Sequence, residues 1–144
     1  MINIKELAIG DWVSLGGIPV KVHSLFTAMN DPHDPAHFTV SVFNPADNTE
    51  SGVRLPIIQG IPFSFEFMEK NGFKRVEGSS RWEWYLEDDD FRVVATGLGA
   101  CSYLQYQRYI GDGDWNNIVT MSCYGVHSMQ HFFTMTGIDK EIKL

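Results

Sequence analysis

Apolar and polar positions alternate along this chain in short runs, and turn residues close each run. Asp11-Trp-Val-Ser-Leu15 reads as a strand, Gly16-Gly17 as a tight turn, and Ile18 to Phe26 as the returning strand. Thr27 to Ala36 holds two prolines, an asparagine and two aspartates, which predicts a loop. His37 to Phe43 alternates again, with Phe38, Val40 and Val42 on one face. Asn44-Pro-Ala-Asp-Asn48 turns the chain, and Glu50 to Leu55 returns as a short strand. Ser64 is placed as a helix N-cap, with Glu66 in the first turn and Asn71-Gly72 as the stop. Phe65 and Met68, three apart, predict one buried stripe on that short helix.

The second half carries two hairpins. Arg81 to Leu86 and Phe91 to Thr96 flank Glu87-Asp-Asp-Asp90. Centring the turn between Asp88 and Asp89 pairs Trp84 with Val93, Trp82 with Ala95 and Leu86 with Phe91, all on one side. The other side then pairs Tyr85 with Arg92 and Glu83 with Val94. A slip of one residue would reverse the faces. Ser102 to Tyr109 and Asn117 to Tyr124 flank Gly111-Asp-Gly-Asp114. Here Leu104 faces Met121, Tyr106 faces Val119, and Ser102 faces Cys123. Tyr103, Gln105, Gln107, Thr120 and Ser122 share the more polar side.

A four-stranded antiparallel meander with one covered face follows. Its cover is a helix over Val126 to Thr136, with Val126, Met129 and Phe133 on the apolar stripe and Phe132 and Met135 beside them. His127, Gln130, His131 and Thr134 form the polar stripe, and Gly137 is the stop. The expected fold class is α+β: an N-terminal β-hairpin element, a short helix, then the meander packed by the C-terminal helix. Residues 1–144 are read as a single domain.

Composition narrows the function classes. The chain has 144 residues and a formal net charge of -7, with 44% hydrophobic and 13% aromatic residues. That charge argues against nucleic-acid binding through the phosphate backbone, which needs clustered Lys and Arg. Lys70, Lys74 and Arg75 are interrupted by acidic neighbours and read as a solvated face. No apolar run approaches a membrane span, and the N-terminus shows no apolar signal region, so no membrane partner and a cytoplasmic location are expected. Cys101 and Cys123 are then free thiols.

Several groups have residue types and spacings that bear on chemistry. His127 and His131, four apart, have the spacing of two zinc ligands on one helix face, but Ser128 replaces the catalytic Glu of that motif. His33 and His37 lie with Asp31 and Asp34 in the proline-bearing loop, a composition that loops also use to turn. Asp112-Gly-Asp-Trp-Asn-Asn117 looks superficially like a calcium loop but lacks its sixth-position Gly and twelfth-position Glu, so it reads as a hairpin turn. Inward-facing Cys123 reads as a core thiol. Trp115 sits in a Gly/Asp/Asn-rich tip, and with Tyr103 and Tyr109 it makes the candidate partner-binding surface. No catalytic set is complete, and no cofactor is expected.

Three ordered blocks carry a resemblance. They are Glu6-Leu-Ala-Ile-Gly-Asp-Trp-Val13, Gly60-Ile-Pro-Phe-Ser-Phe-Glu-Phe-Met-Glu-Lys-Asn-Gly-Phe-Lys-Arg75, and Val126-His-Ser-Met-Gln-His-Phe-Phe-Thr-Met-Thr-Gly137. Together the chain resembles a family of small uncharacterised Bacteroidetes proteins, often encoded in prophage and other mobile regions. That family's pattern reads E-L-x-I-G near the start, I-P-L-T leading to a short helix and a G-F pair, and V-H-x-L-Q-N closing on L-T-G. Ala8 stands where that family often has Arg, and Phe63-Ser64 replaces Leu-Thr. The resemblance implies no catalytic set. It singles out His127 and Gln130 as motif positions. The functional expectation is a small cytoplasmic interaction or accessory protein without enzymatic activity, binding a protein partner or a second copy of itself. The alternative is a metal-binding protein or metal-dependent hydrolase using His127 and His131.

Overall fold

A computed structural model of the chain describes residues 2, 4–27, 38–79, 81–97 and 102–144. It divides into two compact units, Met1–Ile61 and Pro62–Leu144, each with its own antiparallel sheet. The architecture is mixed α and β.

In the first unit, β1 (Trp12–Leu15), β2 (Ile18–Thr27), β3 (Phe38–Asn44), β4 (Thr49–Arg54) and β5 (Ile58–Gln59) form a sheet in the order β4-β3-β2-β1-β5. The expected N-terminal hairpin is therefore part of a five-stranded sheet. Val13 pairs with Val20, and both are buried with Val22, Val40, Val42, Leu55 and Ile58. The Gly16-Gly17 turn has positive φ at both residues, as a two-residue hairpin connection demands. Asp11 is spent locally: its carboxylate accepts the Ala8 N–H at 2.7 Å.

In the second unit, β6 (Lys74–Arg75), β7 (Glu83–Glu87), β8 (Phe91–Thr96), β9 (Ser102–Gly111) and β10 (Asp114–Cys123) follow one another in a meander. The meander has five strands where four were expected, because β6 pairs Lys74 with Tyr85 and Arg75 with Trp84. The β7–β8 register differs from the expectation by two residues. Trp84 faces Ala95, Tyr85 faces Val94, Leu86 faces Val93 and Glu87 faces Arg92. The cause is the turn: the Asp88 N–H donates to the Phe91 carbonyl, which centres it on Asp89-Asp90. A shift of two keeps every side chain on its face. The β9–β10 pairs Leu104–Met121, Tyr106–Val119 and Ser102–Cys123 stand where the pattern puts them. Asp112 and Gly113 both have positive φ at the hairpin turn, and two register shifts follow along β10.

The inner face of this sheet runs through Trp84, Ala95, Leu104 and Cys123, all buried. Helix α1 (Phe65–Lys70) starts at Ser64, whose Oγ accepts the Phe67 N–H at 3.0 Å. It buries Phe67 and Met68, not a Phe65–Met68 stripe. Phe65 is 53% exposed, its ring 5.7 Å from that of Trp84 with the Arg75 guanidinium over it. Helix α2 (Val126–Thr136) packs against β9 and β10. Its buried arc is wider than the apolar stripe and includes His127 and Ser128, while Met135 is exposed. The helix leaves β10 after only Tyr124 and Gly125, so its whole first turn is pressed onto the sheet regardless of polarity. Gly137 stops it at φ +73, where a left-handed residue releases the chain. Residues 138–144 then return to α1, where the Asn71 side chain bonds both backbone groups of Lys143.

Candidate functional site

The outer face of the second sheet collects the side chains that alternate away from Trp84 and Leu104. Across it run Tyr85, Val94, Gln105 and Thr120 in one cross-strand row, and Glu87, Arg92, Gln107 and Asn117 in the next. Trp115 pairs with Tyr109 just beyond that second row. Trp115 thus belongs to β10 and not to a loop tip.

Its setting is built by neighbours. The Tyr109 ring lies 5.3 Å from the Trp115 ring at 59°, and the Arg92 guanidinium carbon stands 4.7 Å over the indole. Arg92 is held in place because its Nε and Nη2 both donate to Gln107 Oε1, at 3.0 and 2.8 Å. Glu87 lies 3.9 Å from the same guanidinium. The Tyr109 hydroxyl accepts the Gly113 N–H at 3.2 Å, which ties the aromatic pair to the hairpin turn. The result is a half-buried indole clamped between a cation and a phenol, a contact worth about 0.5–2 kcal/mol.

The structure brings Trp115 and Tyr109 together but not Tyr103. Tyr103 is on the same face of β9, six residues away, or roughly 20 Å at the strand rise. Gln105 and Gln107 separate them. Tyr103 is 51% exposed and Tyr109 46%. Arg92 and Gln107 are the members of this site that the sequence did not single out; their signal is only that they share the outer face with Tyr109.

The histidine pair has a different environment from the expected helix rim. His127 is 1% exposed, and its ring meets that of His131 edge-on at 6.4 Å. His127 Nε2 lies 3.3 Å from Ser128 Oγ, which also accepts the Tyr124 N–H. Among the described residues no group of three or more His, Cys, Asp or Glu side chains is placed to hold a metal ion. Cys123 is buried, with its thiol donating to the Gly125 carbonyl. His33, His37 and Cys101 lie outside the described residues.

One further polar cluster sits on the first unit. Ser41 Oγ donates to Glu50 Oε1, and His23 Nδ1 is 3.1 Å from the same oxygen. The hydroxyl bond, followed by the nearby imidazole, holds the Glu50 carboxyl below its ordinary value. Because the serine donates to a carboxylate and not to the imidazole, this order does not activate a nucleophile. Among the described residues no helix is long and apolar enough to cross a membrane. Comparison with protein-family models, with curated proteins and with solved structures finds no match to this chain.

Proposed function

We propose that the chain is a non-enzymatic interaction protein that docks a protein partner on the outer face of its second sheet. The observation that carries this is the Tyr109–Trp115–Arg92 cluster. Its aromatic surface is already ordered, so little side-chain entropy remains to be lost on binding. Exposed Tyr103 extends the surface along β9. The ordered sequence blocks support a cytoplasmic accessory role in a mobile element.

The test is a Trp115→Ala variant of the full chain in partner capture and in sedimentation. Capture should fall at least tenfold while far-UV circular dichroism is unchanged, and Trp115→Phe should recover part of it. Equal loss in Glu77→Gln, an exposed change outside this face, would mark the capture as non-specific. Unchanged capture in Trp115→Ala refutes the reading. A change confined to the oligomeric state would instead make a second copy the occupant.

A further inference from the structure

We infer that the uncovered end of the inner face of the second sheet is a docking groove for a basic segment of a protein partner that carries apolar side chains. Length mismatch creates it. Strands β9 and β10 have ten residues each, about 33 Å at the strand rise. Helix α2 has eleven, about 16 Å at the helical rise. The helix begins beside Ser102 and Cys123 at one end of the sheet, so the inner face left over lies at the hairpin-turn end.

There a cleft of about 570 Å³ opens between the β7–β8 turn and the end of α2. Ile138 after α2 lines it, and the sheet contributes the apolar side chains Leu86, Phe91 and Tyr106, with the last two rings 6.0 Å apart. All three are only partly buried, whereas Trp84, Val93 and Leu104 on the same face are fully buried. The volume suits one or two large side chains.

Charge chooses the occupant. Glu87, Asp88, Asp90 and Asp139 line the cleft, against Arg108 and Lys140. The C-terminal end of α2, at Thr136 and Gly137, adds the negative end of a helix dipole. An acidic segment would meet this rim with like charge, and so would a second copy, since the chain carries -7. A lysine- or arginine-rich segment meets opposite charge and gains from apolar contact with the floor.

The probe is a twelve-residue peptide alternating lysine and leucine, titrated into the full chain by calorimetry at low salt. A lysine–serine peptide of equal charge is the comparison. The lysine–leucine peptide should bind at least tenfold more tightly, and Asp88→Asn with Asp139→Asn should weaken it at least tenfold. Glu77→Gln, in the turn after β6, with Glu83→Gln, at the far end of β7, should change it less than twofold. Equal binding of the two peptides, equal loss in both double variants, or no binding overturns the inference. The groove lies on the face opposite Trp115, so the two proposals fail separately. Loss of peptide binding in Trp115→Ala alone would move the peptide to the outer face and overturn only the groove.

Discussion

Asn71 offers the sharpest test of how the second unit is held together. The residue is buried, and its side chain makes three hydrogen bonds. Nδ2 donates to the Phe67 carbonyl at 2.9 Å and to the Lys143 carbonyl at 2.7 Å. Oδ1 accepts the Lys143 N–H at 2.9 Å. One amide thus ends α1 and also pairs the C-terminal segment as a neighbouring strand would. In Asn71→Ala all three bonds go. At about 0.5–1.5 kcal/mol each, full additivity would give roughly 1.5–4.5 kcal/mol. The Lys143 groups can escape to water by peeling the tail away, but that exposes buried Ile142, costing up to about 1.5–3 kcal/mol. The chain takes whichever route is cheaper, so a loss of about 2–3 kcal/mol is expected.

Thermal unfolding should show it as a drop of roughly 8–24 °C, taking about 4–8 °C per kcal/mol for a unit of this size. Hydrogen exchange at the Lys143 N–H should accelerate, and trypsin should cut after Lys140 before any other site. Asn71→Asp keeps the acceptor but removes both donations and faces two carbonyls with a charge. It should be no milder than alanine at neutral pH, and should recover stability as acid protonates it. A loss under about 0.5 kcal/mol in Asn71→Ala, with Lys143 still protected, would refute the clamp.

Two smaller changes test other elements. Gly137→Ala meets open space for its Cβ but a φ of +73, so its cost of about 1 kcal/mol should be purely conformational; an unchanged denaturant midpoint would contradict the left-handed stop. Glu50 has its carboxyl lowered by the Ser41 hydroxyl first and then by His23. Its contribution to stability is therefore present above the ordinary glutamate range and is lost as pH falls through the lower folded value. Ser41→Ala should raise the Glu50 titration midpoint seen by NMR and flatten that acid limb, and an unmoved midpoint would sink the assignment.

What the sequence could and could not show follows from periodicity. The alternation that separates Trp84 and Leu104 from Tyr85 and Gln105 has a period of two, so it survived a two-residue error in the β7–β8 register. Turn and cap chemistry is equally local, and Ser64, Gly113 and Gly137 stand where their side chains, or the lack of one, require. Strands β5 and β6 have two residues each and contain no alternation to read. His127 is buried by where α2 leaves the sheet, which hydropathy does not encode. The candidate site depends on a second register, that of β8 on β9, which alternation within each strand does not set. Face membership places Arg92 with Tyr85 and Tyr109, but a slip of two moves a side chain about 7 Å along the strand. That distance decides whether Arg92 stands over Trp115 or over its neighbours. The aromatic residues were therefore legible one at a time, while the cation that clamps one of them depends on the β8–β9–β10 pairing. The cleft was hidden for a related reason, because it arises from the difference between strand length and helix length and no residue in it is unusual by itself.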